Sequence, residues 1–201
     1  MLWRHGQTTW NAENRFQGQT DIPLSETGVA QAERAARLLA GLKPDRIFAS
    51  DLSRAASTAG ALARITGLQV TLDKDLRERS GGSWEGLTSE EIWKGWPEER
   101  AAWNPPDGET VAAVGERVAG ALTRIADGLD EGGLAVVASH GAAIRLGLER
   151  FLGLTENHSG VLGSLTNCSW SVLVTSHGKW RLQEHNAGNL PEPVLGDDAN
   201  S

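Results

Sequence analysis

Five residues, Leu134 to Ala138, run without a polar side chain between Gly132-Gly133 and Ser139-His140-Gly141. A strand that is apolar on both sides has to be covered on both faces, as in a parallel sheet flanked by helices. The rest of the chain supplies the layers. Val29, Ala32, Ala36 and Leu39 recur at helical spacing between Ser25, a good N-cap, and the stop at Gly41. Arg46 to Ser50 reads as a short buried strand, and Asp51 to Thr66 as a second helix with Leu52, Ala56, Ala59, Leu62 and Ala63 on one side. Leu68 to Leu72 reads as another strand, Thr110 to Leu129 as a long helix through Val111, Val114, Val118, Leu122 and Ile125, and Ala142 to Leu152 as a further helix. Ser169 to Thr175 and Lys179 to Glu184 close the chain as a hairpin.

This alternation predicts an α/β fold: a three-layer α/β/α domain over residues 1–188 with a mostly parallel central sheet. Residues 79–108 interrupt the rhythm with Gly81-Gly82, Pro97, Pro105-Pro106 and four of the eight Trp, namely Trp84 and the cluster Trp93, Trp96 and Trp103. That stretch is expected to form a short helical lid, its tryptophans serving as packing or as an apolar, sugar-stacking wall. Residues 189–201, polar and containing Pro191 and Pro193, are expected to be a flexible tail. Met1 to Trp3 are fewer than the roughly 5–6 residues of an ordinary strand, so a longer first strand, with a start upstream of Met1, is an expectation.

The charge balance narrows the partners. With 19 Lys plus Arg against 26 Asp plus Glu, the net charge of −7 argues against a nucleic acid or an anionic membrane as ligand, and any anion must meet a local basic pocket. The single Cys168 cannot form an internal disulfide, and no apolar run approaches 18 residues, so a cytoplasmic protein is expected. Phosphate-loop, dinucleotide and zinc signatures are missing, so no metal or organic cofactor is expected.

Ligands of open α/β sheets bind beyond the carboxyl ends of the strands. Arg4 and His5 follow the first strand, Arg54 lies just past the second, and His140 follows the apolar one. Two Arg and two His converging there, with Gly6, Asn11 and Gln17 nearby, make a phosphate cradle, because guanidinium forks bind oxyanions bidentately and amides add donors. For Arg54, a structural role near a helix start is disfavoured by the helix dipole, which favours anion binding instead.

The ordered set Arg4-His5-Gly6-Gln7-Thr8, Trp10-Asn11, Arg15-Phe16-Gln17-Gly18-Gln19, Leu24-Ser25, Ser50-Asp51-Leu52-Ser53-Arg54-Ala55, Leu76-Arg77-Glu78, Trp84-Glu85-Gly86, Gly108-Glu109-Thr110 and Ser139-His140-Gly141 resembles the histidine phosphatase superfamily, in its phosphoglycerate mutase-like branch. The resemblance implies that His5 is a nucleophile forming a phosphohistidine, that Arg4, Arg54 and His140 surround the transferring phosphoryl group, and that Glu78 gives the leaving group its proton. Asn11 and Gln17 match phosphate-contacting or entrance positions, Glu109 and Ser139 supporting ones, and Glu85 a structural one. His158, His177 and His185 fall outside the motifs.

Mutases of the family carry a long insertion between the Glu and the second His. Here 140 − 78 gives an interval of 62 positions, so the resemblance implies a short lid that admits water, hence phosphatase rather than mutase chemistry. A narrower likeness to the actinobacterial glucosyl-3-phosphoglycerate phosphatases rests on Gln7-Thr8, Gln17-Gly18-Gln19, Leu162 to Trp170, Trp180-Arg181-Leu182 and Asn186. The expected function is therefore a metal-independent phosphomonoesterase acting on a small phosphate ester, with glucosyl-3-phosphoglycerate as a candidate. The alternatives are a phosphoglycerate mutase-type phosphotransferase and a non-catalytic phosphate-binding member. A homodimer is the family-based expectation for assembly.

Overall fold

A computed structural model describes residues 1–154 and 160–188. Its centre is a six-stranded sheet of β1 (Leu2–Arg4), β2 (Arg46–Ala49), β3 (Val70–Leu72), β4 (Ala135–Ser139), β5 (Trp170–Ser176) and β6 (Lys179–Ala187), in the order β3-β2-β4-β1-β5-β6. The first four positions pair in parallel, and β5 and β6 add antiparallel strands at one edge. All five residues of β4 are buried, as its apolar run required. Ala135 and Val137 face one core while Val136 and Ala138 face the other, the period of two that a pleated strand imposes.

Each core has its own helix pair. Helices α2 (Glu26–Ala40) and α3 (Ser53–Thr66) cover one face with Ala32, Ala36, Leu39, Ala59 and Leu62, and α6 (Val111–Asp127) and α7 (Gly141–Phe151) cover the other with Val114, Val118, Leu122, Ile144 and Leu148. The ends follow local chemistry: Ser25 Oγ accepts from the Gly28 amide and Thr110 Oγ1 from Ala113, while Gly67 ends α3 in the left-handed conformation at φ +75°. Two details differ from the periodic reading. Val29 is 43% exposed, its place on the buried face taken by Gly28, Ala32 and Ala35. Helix α3 starts at Ser53, after an extended Leu52, and Asp51 lies outside it in an ion pair with Arg77.

The stretch 79–108 is a turn at Gly82–Trp84 followed by the short helices α4 (Ser89–Gly95) and α5 (Pro97–Ala101). Their apolar side chains gather on Phe16 from the segment after α1 (Thr9–Ala12), with Trp84 edge-on to it at 5.9 Å and Trp103 at 5.8 Å. Trp84 is the fully buried tryptophan here; Trp96 packs on the rim, and Trp93 is 44% exposed. The predicted tail and His158 lie outside the described residues. Among the described residues no helix is long and apolar enough to cross a membrane.

Candidate active site

Strand register brings the two histidines together. Arg4 of β1 pairs with Ser139 of β4, so the next residues, His5 and His140, leave the sheet side by side with ring centroids 5.1 Å apart. On the other flank of β4, Ala49 pairs with Ala138, and the chain beyond it enters α3, whose second residue is Arg54. His5, Arg54 and His140 are all essentially buried, as are Arg4, Asn11, Gln17 and Glu78. Arg4, His5, Arg54 and His140 thus stand at or just beyond the carboxyl ends of β1, β2 and β4, with Asn11 and Gln17 on the segment that follows His5 and Glu78 on the strap that follows β3.

The two imidazoles are held in opposite tautomers. His5 Nδ1 lies 2.7 Å from the Gly6 carbonyl, which can only accept, so the proton sits on Nδ1 and Nε2 keeps its lone pair. Arg54 Nε donates to His140 Nδ1 at 3.2 Å, so there the proton sits on Nε2. Burial first, then the charges of Arg54 and Arg4, pushes His5 well below the usual histidine range. His140 moves the same way, through burial, then Arg54, His5 and Arg4. One ring is a neutral base and the other a neutral donor.

Three buried donors around these rings have no hydrogen-bond partner among the described residues: Arg4 Nε, Asn11 Nδ2 and His140 Nε2. Each belongs to a side chain otherwise anchored. Arg4 bonds the Leu165 carbonyl, and Asn11 Oδ1 accepts from the Thr8 amide at 3.0 Å, which turns its NH₂ the other way. Buried donors without acceptors are costly, and an oxyanion is a ligand that accepts from donors of all three kinds. Gln17 is also buried, but its Oε1 is engaged by the Thr8 hydroxyl at 2.9 Å.

Glu78 reaches the same place from the strap after β3. Its Oε1 accepts from the amides of Arg79 (2.8 Å) and Ala143 (2.9 Å) and its Oε2 from Ala142 (3.2 Å), so it caps the first turn of α7 directly after His140. A small cavity lined by Arg4, Phe16, Glu78, Arg79, Trp103, Gly141 and Ala142 adjoins it. Of the lid tryptophans, Trp103 alone lines this cavity, and the Arg79 guanidinium lies 5.6 Å from its ring centroid.

Sequence reading marked Glu109 and Ser139 as supporting positions but missed the rest of the scaffold behind these groups. Arg117 of α6 ties down the strap, donating to the carbonyls of Asp75 (3.0 Å), Arg77 (2.6 Å) and Glu78 (2.9 Å) while pairing with both oxygens of Glu109. Burial alone would raise the Glu109 pKa, yet the Arg117 and Ser80 bonds bring it below the usual carboxylate value. Asn167 Nδ2 donates to the His5 carbonyl at 3.1 Å, and the Thr58 hydroxyl accepts from the Gly6 amide at 3.1 Å. A polar residue inside an apolar helical stripe, such as Arg117 between Val114 and Val118, was the available signal. Ser139 bonds the Leu76 carbonyl at 2.7 Å and supports the strap, while His177 and His185 bond serines elsewhere.

Comparison with known proteins places the chain in a family. The family model for the histidine phosphatase superfamily (branch 1) matches residues 1–188. A glucosyl-3-phosphoglycerate phosphatase of Mycolicibacterium vanbaalenii is 35% identical, with 93% of each chain covered. A phosphoglycerate mutase-like protein of Arabidopsis thaliana is 40% identical over 91% of this chain and 82% of its own. The solved structure of a mycobacterial glucosyl-3-phosphoglycerate phosphatase with VO3 superposes with a TM-score of 0.89 at 36% identity, covering 93% of this chain and 98% of that one. A buried pair of oppositely protonated histidines, two arginines and a carboxylate at a helix start thus stand in a chain that belongs to the histidine phosphatase superfamily, branch 1.

Proposed function

We propose that this phosphomonoester hydrolase works through a phosphohistidine at His5, without a metal, on a small phosphate ester. Glucosyl-3-phosphoglycerate is the candidate substrate that the similarity to phosphatases of that name supports. The observation that carries the mechanism is the neutral His5, its Nε2 lone pair unprotonated, beside three buried donors without acceptors. In the first step Nε2 attacks phosphorus; the N–P bond forms as the P–O bond to the leaving group breaks, and Glu78 supplies the proton the departing alkoxide needs. In the second, water gives a proton to Glu78 and attacks phosphorus, the N–P bond breaks, and inorganic phosphate leaves.

Charge moving onto the equatorial oxygens meets Arg4, Arg54, His140 and Asn11, all fixed beforehand. The guanidinium groups supply the positive charge that a metal supplies in other phosphoryl-transfer sites. The family likeness assigns Gln17 with Asn11 to the surroundings of the phosphate, and Phe16 with Trp103 gives the cavity beside Glu78 an apolar wall for the leaving group to meet. Location in the cytoplasm and assembly as a homodimer belong to the same proposal; the lone Cys168 supports the first and the family likeness the second.

The test is phosphate release from glucosyl-3-phosphoglycerate, 3-phosphoglycerate, phosphoserine, sugar phosphates and p-nitrophenyl phosphate. The proposal expects release from several esters, with kcat/KM for glucosyl-3-phosphoglycerate at least ~10-fold above the others, the scale on which a shaped pocket discriminates. Another ester as the best substrate would overturn the substrate assignment. Phosphoryl exchange between phosphoglycerates without net release would make the chain a mutase instead.

A further inference from the structure

The Glu85 carboxylate, outside the group of residues that faces the orphan donors, gathers four donors from two segments. Oε1 accepts from the amides of Gln19 and Gly81, each at 2.9 Å, and Oε2 from the amide (2.9 Å) and hydroxyl (2.5 Å) of Thr20. The segment it holds, residues 17–20, also holds Arg54: the Gly18 carbonyl accepts from Nη2 at 2.7 Å and the Thr20 carbonyl from Nη1 at 2.9 Å.

The Gly18 carbonyl and the Gln19 N–H belong to one peptide unit. None of the described peptide bonds is cis, so the two groups point in opposite directions, one at the guanidinium and the other at the carboxylate. That peptide is aligned end to end between an anion and a cation, and each charge stabilises the orientation the other needs. Gly18 adopts φ +55°, and a Cβ there would fall on the Glu85 carboxylate, so the close approach requires glycine at this position.

We propose that Glu85 is a positioning residue for phosphoryl transfer, acting through the Gly18–Gln19 peptide to aim Arg54. The inference rests on the phosphatase reading for its kinetic readout only. Glu85 comes from the strap that carries the lid, so it ties the lid to the cationic wall of the phosphate cradle. Without its charge, the 17–20 segment loses the group that gathers its amides, and the two carbonyls no longer hold Arg54 in one orientation.

A double-mutant cycle with Arg54 separates this role from simple support of the fold. Glu85→Gln keeps the shape and removes the charge. It is expected to lower kcat for p-nitrophenyl phosphate roughly 10- to 100-fold, less than direct loss of a transition-state donor, with KM changed under ~3-fold. Orthovanadate should bind correspondingly weaker. In an Arg54→Lys background, which keeps a charge but cannot bridge both carbonyls, adding Glu85→Gln should change vanadate affinity less than ~2-fold. Equal losses in both backgrounds, or no loss in a folded Glu85→Gln protein, would overturn the proposal. Thr20→Val removes one donor to Oε2 and serves if Glu85→Gln melts below assay temperature: a ~2- to 5-fold loss is expected, absorbed in Arg54→Lys, and the same loss in both backgrounds counts against it. Should wild type bind vanadate yet release phosphate from no ester, the phosphatase reading fails while the vanadate cycle still judges Glu85.

Discussion

An imidazole attacks phosphorus only when it is neutral, and His5 is kept so by burial and by the charges of Arg54 and Arg4. His140 is depressed beside it, so near neutrality both rings are uncharged in the folded protein. The consequence for stability has a sign. As pH falls below 6.5 the unfolded chain takes up protons at these positions while the folded chain does not, so stability present above 6.5 is lost below it. Each histidine contributes up to ~1.4 kcal/mol per pH unit across that window. Thermal melts between pH 7 and pH 5 should show Tm falling, with a shallower fall in a His5→Gln/His140→Gln variant; parallel slopes would mean that the rings protonate in place. These residues were legible in the sequence because each follows a strand. The group that fixes the His5 tautomer was not, since it is the backbone carbonyl of Gly6 and carries no side-chain signature.

At the scale of elements, strand register and helix starts put the chemistry in place. The Glu78 strap depends on α6 through Arg117, and a strap is what a general acid needs if it is to meet the leaving oxygen. Arg117→Met should therefore cost kcat on an alkyl phosphate about tenfold or more and spare p-nitrophenyl phosphate, whose leaving group departs without a proton. Equal losses on both esters would show that Arg117 supports the site generally and Glu78 not in particular. Helix α2 is tied to the nucleophile loop differently: a Cβ on Gly28 would fall on the Gln7 backbone oxygen, where neither chain can yield. Gly28→Ala should lose about 1–3 kcal/mol to this overlap, more than the up to ~1 kcal/mol it gains in helix propensity. A Tm equal to or above wild type would contradict the close approach. Periodicity revealed these helices but not such contacts, because Gly28 leaves no hydrophobic mark. It also placed Val29 inside, whereas the buried face of α2 runs through Gly28, Gln31, Ala32, Ala35, Ala36 and Leu39 and leaves Val29 at its margin. The lid was legible as a short helical stretch with packing tryptophans, but its partner Phe16 was not, since that contact joins residues too far apart for any local period to show.

For the whole molecule, a net charge of −7 surrounds a pocket built from Arg4 and Arg54, and the two facts are compatible because the cations are buried and local. The sheet order places β4 between the strands that deliver His5 and Arg54, so a single apolar strand, readable in the sequence, organises the cradle. The sequence marked Glu85 as a structural position but not what it holds, and Asn167 and the 17–20 carbonyls carried no mark, because their meaning depends on partners far along the chain. Phosphoryl transfer through His5 without a metal leaves a covalent phosphohistidine that can be trapped by rapid quenching during turnover of p-nitrophenyl phosphate in EDTA, followed by mapping of acid-labile phosphate, for wild type and His5→Ala. Label is expected on the peptide carrying His5, undiminished by EDTA, with phosphate release at least ~10³-fold slower in the variant. Phosphate release that survives the loss of His5, or that stops in EDTA, would contradict that route.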